Sequence, residues 1–132
     1  LISLLPQHTI LTPHPKEFER LTKKTKNDFE RLEVGIQFAQ EHEVIICLKG
    51  AQTAVILPNG EVHFNSTGNS GMSTGGTGDV LTGIITGLLA QQYTPQDAAI
   101  LGVYMHGKAG DAAAAQRSES ALIASDLIEA LR

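Results

Sequence analysis

The segment Asn65-Ser66-Thr67-Gly68-Asn69-Ser70-Gly71-Met72-Ser73-Thr74-Gly75-Gly76-Thr77-Gly78-Asp79 constrains this chain more than any other. It holds five of the 13 glycines, leaves a candidate strand and runs into an apolar helix. Gly75, Gly76 and Gly78 lack side chains, so a ligand can approach their backbone closely. The first N–H groups of the following helix have no intrahelical partner, and the positive end of the helix dipole faces the loop. Those are the ingredients of an anion site, with Gly76, Thr77 and Gly78 as its candidate donors. Asp79 sets a carboxylate beside it. As a plain first-turn acid, Asp79 would stabilise the helix by ~0.3–1 kcal/mol. Next to a phosphate it makes chemical sense if a metal joins the two, or if it removes a proton from an attacking hydroxyl. The concentration of glycines favours the chemical reading.

Two familiar phosphate motifs fail. A P-loop needs Lys and then Ser or Thr after its second glycine, whereas Gly71 to Gly76 is followed by Thr77-Gly78. A dinucleotide fingerprint opening at Gly76-Thr77-Gly78 needs a small residue at 81, which is Leu81. A second constellation, Lys49-Gly50-Ala51-Gln52-Thr53, follows the apolar run Val44 to Leu48. It reads either as a ligand loop at the C-terminal end of a buried strand or as an ordinary hairpin connection. A third, Thr12-Pro13-His14-Pro15, holds a histidine in restricted, extended backbone after a short strand. His14 is thus a candidate for the same crevice, or a solvated loop residue. The remaining histidines show no metal-ligand spacing with one another or with Cys47, so no metal site is assigned.

Strands are expected over 9–13, 44–48, 54–57 and 61–64, with a turn at Pro58-Asn59-Gly60. Helices are expected from Pro15, from an Asn27 cap to His42, from Asp79 to Gln92, from Pro95 onward, and over 126–132 after Ser125. Phe29, Leu32, Ile36 and Ala39 form one predicted buried stripe; Ala98, Leu101, Met105 and Ala109 form another. Gly83-x-x-x-Gly87 reads as a close-packing helix face. Alternating strands and helices imply an α/β layered fold, with few strands for so much helix, so the sheet looks incomplete. Residues 1–132 are read as part of one domain.

Ten basic and 14 acidic residues give a net charge of −4, which offers no electrostatic footprint for nucleic acid or an anionic membrane. No apolar run approaches the ~18–20 residues of a membrane span. Leu1-Ile2-Ser3-Leu4-Leu5-Pro6 lacks the basic region and small-residue cleavage site of a signal peptide, and the missing Met leaves open an upstream continuation. The single Cys47, inside an apolar strand, is read as a buried structural thiol. A cytoplasmic location is the expectation.

The motifs taken in order resemble one family. Thr12-Pro13-His14-Pro15-x-Glu17, Lys49-Gly50-Ala51-x-Thr53, Asn65-x-Thr67-Gly68-Asn69-x-Gly71-Met72 and Gly76-Thr77-Gly78-Asp79 resemble the NAD(P)H-hydrate dehydratases of the ribokinase-like superfamily. Gly102-Val103-Tyr104-x-His106-Gly107-x-Ala109-Gly110-Asp111 and Ala124-Ser125-Asp126 fit the same family. The resemblance implies a ribokinase-like three-layer α/β/α sandwich, present here as its C-terminal half. It implies dehydration of the S epimer of hydrated NADH or NADPH, driven by ADP or ATP, with Mg2+ on the nucleotide phosphates; the short, compact loop favours ADP. Lys49, Gly50, Ala51, Gln52, Thr53 and Gly78 would then hold the adenine nucleotide; His14, Asn69 and Asp79 would face the hydrated nicotinamide. Asp79 would be the base, and Gly76, Thr77 and Gly78 the anion hole. A homo-oligomer or a missing upstream half, with possible fusion to an epimerase domain, is the implied assembly. The alternatives are a kinase of a small alcohol or vitamin precursor, since Gly-Thr-Gly-Asp is shared with such kinases, and a non-catalytic nucleotide-binding module.

Overall fold

The computed structural model describes residues 4–50, 52–69, 72, 76–116 and 124–131. They form two compact units, 1–64 and 65–132.

The first unit carries the sheet. Its elements are β1 (Ile10–Leu11), α1 (Pro15–Leu21), α2 (Asp28–His42), β2 (Ile45–Leu48), β3 (Ala54–Ile56) and β4 (Val62–Phe64). The strand order is β1-β2-β3-β4. Only β1 and β2 run parallel, with Ile10 opposite Ile45; β2–β3 and β3–β4 are antiparallel hairpin pairs. β1 is shorter than the predicted strand because Thr9 turns back, its hydroxyl donating to the Pro6 carbonyl. At the other end Pro13 offers no N–H, yet its carbonyl still accepts the Lys49 N–H at 3.1 Å.

α2 begins where its cap predicts. The Asn27 side chain accepts the Glu30 N–H at 2.8 Å. It ends at Glu43, whose φ of 53° is left-handed. The predicted stripe on this helix is misplaced at its start: Phe29 is 72% exposed, and the buried face runs through Gly35, Phe38 and Ala39. Phe29 lies in the first turn, before the helix reaches the sheet. A Cβ on Gly35 would stand 2.7 Å from Ile56 Cδ1, so the helix backbone presses against β3 there. Phe18, Phe38, Ala39, Val44, Ile46, Leu48, Ala54 and Ile56 make the core between these elements, with the two phenyl rings edge to face at 6.4 Å. Ile45, Cys47 and Val55, on the alternate positions, are equally buried, as a strand covered on both faces requires. Burial pushes the Cys47 thiol up to about 12, with Lys49 a minor opposing influence.

The second unit is helical: α3 (Thr77–Ala90), α4 (Pro95–Gln116) and α5 (Ala124–Ala130). α3 starts two residues before the predicted Asp79, because Gly76 takes a φ of 91° that glycine alone adopts freely. Thr77, Leu81, Ile85 and Leu88 form its buried face. On α4 the predicted stripe holds at Ala98 and Ala109 and not at its two large residues. Leu101 and Met105 are only half-buried, while Ala98, Ala99, Gly102, Val103, Gly107, Ala109, Gly110 and Ala113 are buried. Small residues prevail because other chain segments come close to this helix. The close-packing role expected of Gly83 and Gly87 falls elsewhere: a Cβ on either meets nothing within 4 Å, whereas one on Gly102 would stand 2.7 Å from Ile85 Cγ1. Ser125, the expected cap of the last segment, lies inside α5 instead.

Candidate active site

In the first unit the Thr12-to-Glu17 and Lys49-to-Thr53 segments leave the same end of the sheet, the C-terminal end of the parallel pair. The Lys49 N–H to Pro13 carbonyl bond ties them together. His14 is exposed and serves as the N-cap of α1. Its Nδ1 accepts the Glu17 N–H at 3.2 Å, and the Glu17 carboxylate returns to the His14 N–H at 3.1 Å. Accepting at Nδ1 leaves the ring hydrogen on Nε2, 3.3 Å from Glu17 Oε1. The His14 backbone hydrogen bond holds the Glu17 carboxyl below its ordinary 4.5, against desolvation, which raises it, and with lesser help from the nearby charges of Lys49 and Arg20. Lys49 and Thr53 are half-buried, and Gly50 and Gln52 are exposed. Ala51 lies outside the described residues.

In the second unit the glycine-rich segment is laid on α4. Asn65 Nδ2 donates to the Val103 carbonyl at 3.4 Å, and Thr67 Oγ1 lies 3.3 Å from the Tyr104 carbonyl. Asp111 takes two bonds: its Oδ2 accepts the Gly68 N–H at 3.0 Å and its Oδ1 accepts from Asn69 Nδ2 at 3.1 Å. Asn69, a predicted substrate contact, thus also has a structural bond. At the far end the Thr77 hydroxyl donates to the Met72 carbonyl at 2.5 Å, and His106 Nε2 lies 3.0 Å from the Thr77 carbonyl. A carbonyl only accepts, so His106 carries its hydrogen on Nε2.

Gly76 is the N-cap and supplies no side-chain acceptor to the helix end. The N–H groups of Gly76, Thr77, Gly78 and Asp79 open α3, ahead of its first i to i−4 bond. Val80 makes the first intrahelical bond, to the Gly76 carbonyl at 3.2 Å. The Thr77 side chain is buried, so only its backbone can serve an anion. Asp79 is exposed on that turn, and none of the described residues pairs with its carboxylate.

Sequence patterns alone did not single out His106, Gly107 and Asp111 as parts of this site. Their signal was present in the run from Gly102 to Asp111. Three glycines inside a helix, each costing ~1 kcal/mol against alanine, are retained where something must approach closely.

A family model described as NAD(P)H-hydrate dehydratase matches residues 2–132. The chain belongs to the NAD(P)H-hydrate dehydratase family. A bifunctional NAD(P)H-hydrate repair enzyme Nnr of Moorella thermoacetica is 50% identical over 124 residues, which are 92% of this chain and 23% of that protein. The ADP-dependent (S)-NAD(P)H-hydrate dehydratase of Bacillus subtilis is 39% identical over 92% of the chain and 45% of that protein. The solved Bacillus subtilis ADP/ATP-dependent dehydratase, co-crystallised with ATP/Mg2+, superposes with a TM-score of 0.89 at 36% identity, over 96% of this chain and 48% of that one. A Thermotoga maritima ribokinase at 23% identity and a TM-score of 0.57 shares the fold, an α/β architecture of the ribokinase-like kind. The chain spans less than half the length of these relatives.

Proposed function

We propose that the natural gene product carrying this chain dehydrates the S epimer of hydrated NADH or NADPH at the expense of an adenine nucleotide, ADP in preference to ATP. What carries the reading is the family match over 2–132 together with an exposed Asp79 on the first turn of α3, whose carboxylate pairs with none of the described residues. Asp79 takes the proton of the hydrate hydroxyl, and that oxygen takes the terminal phosphoryl group of ADP, with AMP as the leaving group. The phosphate then leaves with the C–O bond pair, and the neighbouring ring carbon gives up a proton to solvent, so that its C–H pair becomes the restored C=C bond. The amides at Gly76, Thr77 and Gly78 face the charge that develops on the transferred group. Lys49, Gly50, Ala51, Gln52 and Thr53 hold the nucleotide, and His14 and Asn69 contact the hydrated ring.

Among the described residues no three potential ligands converge on a metal position. That fits Mg2+, which is held by one or two carboxylates and the substrate's own phosphates rather than by a protein cage. When bound, it would neutralise those phosphates. We propose further that residues 1–132 are one part of a single catalytic domain, with the rest of the substrate wall supplied outside them. Fusion to a second domain is proposed on the Moorella relative, which is bifunctional.

Asp79→Asn tests the assignment. With ADP and hydrated NADPH, kcat is expected to fall by about two to four orders of magnitude. The assay follows free phosphate and restored NADPH together. Unchanged turnover would remove Asp79 as the base, and a stable phosphorylated product would turn the reading to a small-alcohol kinase.

A further inference from the structure

The glycine-rich segment has two ends, and one helix holds both. Upstream, Asp111 accepts the Gly68 N–H and the Asn69 side-chain amide at 3.0 and 3.1 Å. Downstream, His106 Nε2 donates to the Thr77 carbonyl at 3.0 Å, one residue before Gly78-Asp79. At about 100° per residue, Gly110 and Gly107 fall at about 40° and 100° around α4 from His106, and Asp111 at about 140°. The two glycines therefore lie between the two polar anchors. A Cβ on Gly107 would stand 2.0 Å from Thr67 Oγ1 and 2.8 Å from the Thr67 carbonyl carbon. One on Gly110 would stand 2.2 Å from Met72 Sδ. Thr67 and Met72 thus lie over a floor without side chains, with a polar anchor at either edge.

We infer that His106 and Asp111 are positioning residues that fix the glycine-rich loop and the first turn of α3, and through them the Asp79 carboxylate. Gly68 and Gly76, at φ of 105° and 91°, are residues free to take many other shapes, so their backbone needs outside anchors. Misplacing a reacting group by about 1 Å costs about a hundredfold in rate. The two anchors act on where Asp79 stands, and neither touches the reactants. The inference rests on the proposed role of Asp79.

The test uses the natural gene product and compares Asp111→Ala, Asp111→Asn and His106→Ala with Phe38→Leu, a core change in the first unit. Asp111→Ala and His106→Ala are expected to lower kcat tenfold to a hundredfold, with the nucleotide KM moving less than about threefold. Asp111→Asn keeps an oxygen for the Gly68 N–H and is expected to recover most of that loss. Phe38→Leu lowers the melting temperature and is expected to keep kcat when assayed well below it. Wild-type kcat in Asp111→Ala and His106→Ala, or equal loss of kcat in Phe38→Leu at matched melting temperature, overturns the inference. Amide exchange gives a second readout, independent of turnover. Asp111→Ala is expected to speed exchange at Gly68, and His106→Ala to speed it at Val80. If the wild-type protein shows no dehydratase turnover, the functional reading fails on its own. Unchanged exchange at both amides then overturns the bracing as well; faster exchange upholds it.

Discussion

Gly107→Ala is the sharpest single perturbation the structure offers. Position 107 lies in the interior of α4, where alanine should gain about 1 kcal/mol of helix propensity over glycine. The new methyl group, however, would stand 2.0 Å from Thr67 Oγ1, 2.7 Å from Thr67 Cβ and 2.8 Å from the Thr67 carbonyl carbon. The last contact is with backbone, which no rotamer change relieves, so the segment from Asn65 to Asn69 must lift off the helix. Overpacking of this kind costs about 1–3 kcal/mol, toward the upper end for so short an approach. Less the gain in propensity, the net effect is a destabilisation of about 1–2 kcal/mol, or a fall in melting temperature of about 3–10 °C for a chain of this size. Thermal melts followed by circular dichroism measure it. Gly83→Ala is the matched control. It is also a helix-interior glycine, but its Cβ meets nothing within 4 Å, so the same gain in propensity should raise the melting temperature. Thr67→Ala combined with Gly107→Ala should recover only part of the loss, because the backbone contact remains. A Gly107→Ala protein that melts at or above wild type would refute the close approach of the loop to α4.

Two further outcomes follow from local features. Asn27→Ala removes the acceptor of the Glu30 N–H, and chemical denaturation should show a loss of about 0.5–2 kcal/mol with an unchanged m-value. The Cys47 thiol, raised by burial from 9.0 to about 12, stays protonated in the folded state where an unfolded thiol would ionise. Its contribution to stability is therefore complete below pH 9 and lost as pH climbs toward 12. Denaturation midpoints of Cys47→Ser and wild type, measured from pH 8 to 10.5, should show a decline of stability with pH in wild type that the variant lacks in part. A disulfide reagent should label Cys47 only as fast as the protein opens.

Much of the local structure could be read from the chain alone, because its causes are local. The Asn27 cap, the proline starts of α1 and α4, the turn at Pro58-Asn59-Gly60 and the apolar strand before Lys49 each rest on residues a few positions apart. The loop, its glycines and Asp79 were equally legible, since few backbones other than a strand-to-helix turn need so many residues without side chains. Tertiary packing decided which helix faces are buried. Phe29 fits the period of α2 but projects into solvent, because burial depends on where the sheet lies and not on spacing. The same holds on α4, where glycine and alanine, not Leu101 and Met105, meet the rest of their unit. Packing alone also assigned the anchors of the loop. Asp111 and Gly68 stand 43 residues apart, and His106 and Thr77 stand 29 apart. A hydrogen bond across such a distance leaves no periodic trace in a sequence. It forms only once α3 and α4 have packed and brought a carboxylate and an imidazole up to backbone that glycine leaves bare.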